Sequence, residues 1–193
     1  MKELLNQISR CTHCVERLPY APRPVLAAGV RSRILIIGQA PGRRVHDSGV
    51  PWQDQSGDNL RAWLGVDQET FYDTRLFALM PMGFCYPGKG KSGDLPPRPE
   101  CAPLWHPQLL ARMKSVRLTL LIGQYSQTHY LGELAKENLT ATVWHFRDYL
   151  PQFLPLPHPS PRNGIWLRRN PWFERRLLPV LKTSVLRELT NKN

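Results

Sequence analysis

Apolar positions in this chain fall into short unbroken runs, separated by stretches with helical spacing. Ile34-Leu35-Ile36-Ile37 has no polar position, the pattern of a parallel strand covered by helices on both faces. Further extended runs are predicted at 75–80, at 118–122 (ending before Gly123) and at 152–156. Leu4, Leu5 and Ile8 share one helical face. Leu60, Trp63 and Leu64 mark a second helix, with Ser56 or Asp58 as its cap and Gly65 as its end. A third helix is predicted through 126–134. A last one starts at Asn170-Pro171, with Asn as N-cap and Pro at the first position, and carries Phe173, Leu177, Leu178 and Val180 with a kink at Pro179. Strands alternating with helices predict an α/β fold, a three-layer α/β/α domain with a central four-stranded parallel sheet, spanning 1–193 as a single domain. Loops leaving the C-terminal strand ends would form its site. Residues 86–107, dense in Pro, Gly and Lys, read as a loop ordered by packing. There are no internal repeats.

Charge changes the picture. The net charge is +11 over 193 residues, with a pI near 10.0, which points to a polyanionic partner. Seven Lys/Arg against two acids lie between Arg162 and Glu188, so the basic residues cluster. Six Trp and six Tyr supply flat surfaces that suit base stacking, though most such residues in any protein pack in the core. No signal peptide and no apolar run of about 20 residues is present, so a cytoplasmic protein with no membrane partner is expected, acting as a monomer. In that compartment Cys11, Cys14, Cys85 and Cys101 read as metal or cluster ligands before disulfides.

Two loops carry the candidate chemistry. The first strand runs into Gly38-Gln39-Ala40-Pro41-Gly42, where Gly allows close approach of the backbone and Pro stiffens the turn, followed by Gly49-Val50-Pro51-Trp52. The turn matches neither a Walker loop nor a dinucleotide fingerprint. Near the end lies His158-Pro159-Ser160-Pro161-Arg162, a histidine held between prolines. Cys11-x2-Cys14 with Cys85-x15-Cys101 completes the set; spacing alone leaves an iron–sulfur cluster and zinc both open.

Together these motifs resemble the uracil-DNA glycosylase superfamily, most closely its iron–sulfur branch. The resemblance implies that the turn (Gly38, Gln39, Ala40) and the His loop, with Ser160, face each other across a pocket for a flipped-out DNA base. It places Trp52 where that branch stacks an aromatic ring on the base. It makes His158 the donor to the departing base, whose growing negative charge a preorganised hydrogen bond stabilises. It makes the four cysteines ligands of a 4Fe–4S cluster, with zinc the less favoured occupant. Arg162 takes the place of the duplex wedge, and Arg168 flanks it toward phosphate.

Two departures stand out. The turn carries Gln39-Ala40 and no carboxylate, so Asp47, beside His46, is the nearest candidate to position water; a solvated loop aspartate is the competing reading. Four residues before Cys85, where the branch has a base-reading Asn, this chain has Pro81, which has neither a side-chain donor nor a backbone N–H. The expected function is therefore excision of a damaged or deaminated base from double- or single-stranded DNA. The alternative is a catalytically weak relative that binds such DNA as a sensor or adaptor. A zinc-stabilised RNA-binding module lacks the aromatic strands it needs.

Overall fold

The four apolar runs form one sheet with the order β2-β1-β3-β4, all pairs parallel. β1 is Ile34–Ile37, β2 Phe77–Leu79, β3 Leu118–Ile122 and β4 Phe153–Leu156. The computed structural model describes residues 1–190. The register aligns Ile34 with Phe77 and Leu118, and Leu120 with Leu154.

Because the strand positions are apolar apart from Thr119, both faces of the sheet can be buried, and alternation sorts the side chains between two cores. Ile34, Ile36, Leu79, Leu120 and Leu154 point to one face. There they meet helix α3 (Gln55–Leu64), the short α4 (Gln68–Tyr72) and the C-terminal α9 (Leu178–Thr190) through Leu60, Phe71 and Leu181. Leu35, Ile37, Ala78 and Leu121 point to the other face. They meet α1 (Lys2–Ser9), α5 (Cys101–Leu110) and α6 (Gln124–Leu131) through Leu4, Ile8, Leu109 and Leu131. Helices α2 (Arg43–Ser48), α7 (Leu139–Trp144) and α8 (Gly164–Arg169) complete the three layers. Among the described residues no helix is long and apolar enough to cross a membrane.

β1 pairs with β2 on one side and β3 on the other, so the chain leaves its C-terminal end at the point where the sheet order reverses. Parallel sheets bind ligands in the crevice at such a point. Pairing runs on past β1: Met82 N donates to Gly38 O (2.8 Å) and Gly83 N to Gln39 O (3.0 Å), which sets Pro81 beside the turn. On the far side, the buried Gln127 amide donates to Leu121 O (3.1 Å) and Leu156 O (2.9 Å), tying β3 to the strand end that leads into His158.

Four expectations are corrected. The cap of α3 is Asp54, whose carboxylate accepts from Gly57 N at 2.9 Å; Asp58 instead pairs with Arg61 at 2.5 Å, and Ser56 lies within the helix. The stretch carrying Asp47 is helix α2, closed by Gly49 in the left-handed conformation. Residues Cys101–Leu110, expected as loop, form α5. Pro103 sits in its first turn, where an N–H has no intrahelical partner, and Ala111 N to Pro107 O (3.0 Å) resumes the ladder. Finally, Asn170 closes α8 and does not cap a helix. Its amide donates to Trp166 O (2.8 Å) and its carbonyl oxygen accepts from Trp172 Nε1 (3.0 Å). A π-helical turn, Phe173–Leu177, leads directly into α9, whose second residue is Pro179.

Candidate active site at the sheet switch point

A cavity of about 560 Å³ opens above the C-terminal ends of β1, β2 and β4, within the roughly 300–1,000 Å³ typical of small-ligand sites. The turn lines it with Gly38, Gln39, Ala40, Pro41 and Gly42, and Trp52, Pro81, His158, Ser160 and Arg162 complete its walls. The two sequence-distant loops therefore meet. Trp52 and His158 have ring centroids 5.8 Å apart.

The His loop is tied from three sides. Asn59, on α3, donates to Pro159 O at 2.8 Å, and Asn163 donates to His158 O at 2.6 Å. Ser160 N–H donates to His158 Nδ1 at 3.2 Å, while its hydroxyl accepts from Arg162 N at 3.2 Å. Burial lowers the His158 pKa, against an opposing pull from Asp54 and Asp94, so the imidazole is neutral at neutral pH. A neutral ring that accepts at Nδ1 carries its proton on Nε2. The loop thus presents one fixed donor, Nε2–H.

Trp52 is placed by a strained backbone, with φ at 58°, rare for a large side chain. The Tyr72 hydroxyl donates to Pro51 O at 2.9 Å. Gly57 lies beneath the Trp52 carbonyl, where a β-carbon would come within 1.8 Å of that oxygen. No other residue fits there without moving the segment.

The floor is set by Pro81. His106, nearly fully buried on α5, lies 3.0 Å from Pro81 O through Nε2 and 2.7 Å from the Tyr130 hydroxyl through Nδ1. A carbonyl can only accept, so Nε2 is the protonated nitrogen and Tyr130 donates to Nδ1. Burial pushes the His106 pKa down to about 4. Pro81 therefore offers the cavity no donor, and its carbonyl is already engaged.

The remaining candidates separate. Arg162 lies at the mouth, and Arg168 is exposed on α8 outside the lining. Asp47 stands outside the cavity, exposed, with both carboxylate oxygens 2.9 Å from Arg43 Nε. The acids that line the cavity are Asp54 and Asp94.

Residues 27–182 match the family model described as Uracil DNA glycosylase superfamily. The chain belongs to that superfamily. Its members act on DNA. Cys11 and Cys14 precede the matched stretch, while Cys85 and Cys101 fall inside it.

All four cysteines are free thiols lining one apolar crevice with Phe84, Arg98 and Trp105. Phe84 N–H donates to Cys101 Sγ at 3.3 Å. Burial pushes the Cys85 thiol up to about 11 and Cys101 to about 12; the charges of Cys11 and Cys14 raise both further, and that of Cys85 raises Cys101. Among the described residues, no three His, Cys, Asp or Glu side chains are grouped as ligands of a single metal ion.

Proposed function

We propose that this superfamily member is a DNA base-excision glycosylase. It extrudes a damaged or deaminated base (uracil or a related one) into the cavity, holds it against Trp52, and hydrolyses its N-glycosidic bond. The observation that carries this reading is His158, whose tautomer leaves Nε2–H as a donor in a cavity walled by Trp52. As the bond to the sugar breaks, its electron pair moves onto the base, and a fixed donor lowers the energy of that anion without reorganising solvent. Extrusion costs a few kcal/mol, least for a damaged or unpaired base. Arg162 and the arginines of α8 supply phosphate contacts that offset this cost on any sequence.

A second reading is favoured by Pro81: with no donor where a base edge could be read, the protein would bind damaged or single-stranded DNA without excising. Oligonucleotides carrying uracil, hypoxanthine, xanthine or an abasic site, in duplex and single strands, separate the two. Strand scission after alkali reports excision; a retarded band without scission reports binding alone.

The cysteine crevice belongs to the same proposal. Four soft sulfur donors in an apolar, N–H-lined crevice fit a 4Fe–4S cluster, and fit zinc as the alternative occupant. Cys11, Cys14, Cys85 and Cys101 would hold it, and it would tie the N-terminal segment to α5. On this reading the chain belongs with the iron–sulfur branch.

A further inference from the structure

Hydrolysis at a nucleotide needs a group that positions and deprotonates water, and the turn after β1 carries no acid. Three aspartates lie nearby. Asp47 is committed to Arg43 outside the cavity. Asp54 lines the cavity and its charge acts on the His158 imidazole ahead of that of Asp94, but its carboxylate is the N-cap of α3, fixed at 2.9 Å from Gly57 N through Oδ1. Asp94 is different.

Asp94 comes from a small hairpin over the turn. Lys89 and Asp94 form an antiparallel bridge, Gly90 N donates to Gly93 O (2.6 Å) and Leu95 N to Gly88 O (2.8 Å). The Gln39 amide reaches from the turn to Leu95 O at 3.3 Å, fastening the hairpin to the cavity. The Tyr86 hydroxyl donates to Asp94 Oδ1 at 3.4 Å. Oδ2 has no hydrogen-bond donor among the described residues, and it lies 3.4 Å from the place a β-carbon would take on Gly42. Asp94 is exposed like Asp47, but it caps no helix and has no ion pair among the described residues, so it presents a free carboxylate oxygen at the turn, in the same cavity as His158, where its charge, after that of Asp54, reaches the imidazole.

We propose that Asp94 is the catalytic base of this protein, supplied by the 88–95 hairpin in place of a carboxylate on the turn; the assignment rests on the glycosylase reading. The water oxygen bonds to C1′ of the extruded nucleotide as the C1′–N bond breaks. The electron pair of that bond leaves with the base, toward the His158 Nε2–H. The water proton passes to Asp94 and from there to the departing base or solvent. The products are free base and an abasic sugar, and no further reactant is needed. Gln39 acts as a positioning residue, since its amide fixes the hairpin that carries Asp94.

The test is single-turnover excision of the best base from the panel above, with DNA affinity measured alongside. Asp94→Asn keeps the shape and the Tyr86 partner, and should slow excision by about 10²- to 10⁴-fold, the range for a lost general base, with DNA affinity unchanged. Formate added to Asp94→Ala should restore part of the rate, which a purely structural role would not allow. Asp47→Asn should excise like wild type. If wild type excises and Asp94→Asn matches it, or if formate leaves a folded, DNA-binding Asp94→Ala unchanged, the assignment fails alone. Wild type that excises no base in the panel overturns the glycosylase reading and this assignment with it.

Discussion

The Trp52 indole packs so closely on Gly38 that a β-carbon at position 38 would stand 2.8 Å from its Cζ2. Trp52 is held in that pose by a left-handed backbone worth about 1–3 kcal/mol of strain, so the surroundings must over-determine it. Gly38→Ala has to push the ring toward the cavity. We expect it to weaken engagement of the extruded base by up to the roughly 1–3 kcal/mol of a stacked base, as Trp52→Ala should. Fluorescence titration with a duplex carrying a non-cleavable base analogue measures this. A duplex with no damaged base should bind both variants as it binds wild type, since phosphate contacts dominate there.

Acid should destabilise the fold through His106. Its folded pKa of about 4 lies below the 6.5 of the free side chain, so the unfolded state takes up the proton first as pH falls. The contribution of the neutral ring is complete above pH 6.5 and is lost progressively toward pH 4. At about 1.4 kcal/mol per pKa unit, the full loss is about 3 kcal/mol. His158, also lowered by burial, adds a loss of the same sign. Urea midpoints of wild type and His106→Gln across this range give the check. The variant, less stable at pH 7, should show the shallower decline. Parallel curves would mean that His106 titrates as it does in the unfolded chain.

The strands could be read from the sequence because short runs that are apolar almost throughout have few other uses in a chain this basic. Loop motifs such as Gly38, Trp52 and His158 were legible because neighbouring Gly and Pro fix their conformation locally. What stayed hidden depends on partners far along the chain. Asn59 acts on Pro159, His106 on Pro81, and Asp94 reaches the turn only through its hairpin. Nothing near Asn59 in sequence marks it. Proline misled at α5, whereas at Asn170-Pro171 a helical run does begin, at Trp172, and only the side-chain cap is missing. A helix tolerates proline in its first turn, as at Pro103, and α5 continues through Pro107; the Asn170 side chain is taken up by the Trp166 backbone carbonyl and the Trp172 indole N–H in place of capping.

Purified without oxygen, the protein should be brown and contain iron and acid-labile sulfide; a colourless protein with stoichiometric zinc would overturn the cluster. Thiols raised to about 11 and 12 must lose their protons on ligation, so uptake should weaken as pH falls. Cys101→Ser should lower the thermal midpoint before it changes which base is excised. The crevice joins the N-terminal segment to α5 and lies apart from the cavity that holds His158.

The His158 donor gives the most direct check on mechanism. His158→Ala should slow single-turnover excision by about 10²- to 10³-fold, the cost of deleting one preorganised donor to a developing anion. Affinity for damaged DNA should hardly change, because phosphate contacts supply most of it. Arg162→Ala and Arg168→Ala should do the reverse, lowering affinity and flattening its salt dependence by roughly 0.9 in log–log slope for each duplex phosphate no longer neutralised. Asn59→Ala probes preorganisation alone: it leaves the imidazole in place but frees the Pro159 carbonyl that Asn59 holds at 2.8 Å. Excision should then fall by less than in His158→Ala, and the double variant should be no slower than His158→Ala, since a loop without its donor has nothing left to orient. If the two losses instead multiply, Asn59 contributes to excision by a route that bypasses His158. If His158→Ala excises its best substrate at the wild-type rate, the departing base is stabilised by another group, and the mechanism assigned to this loop is wrong.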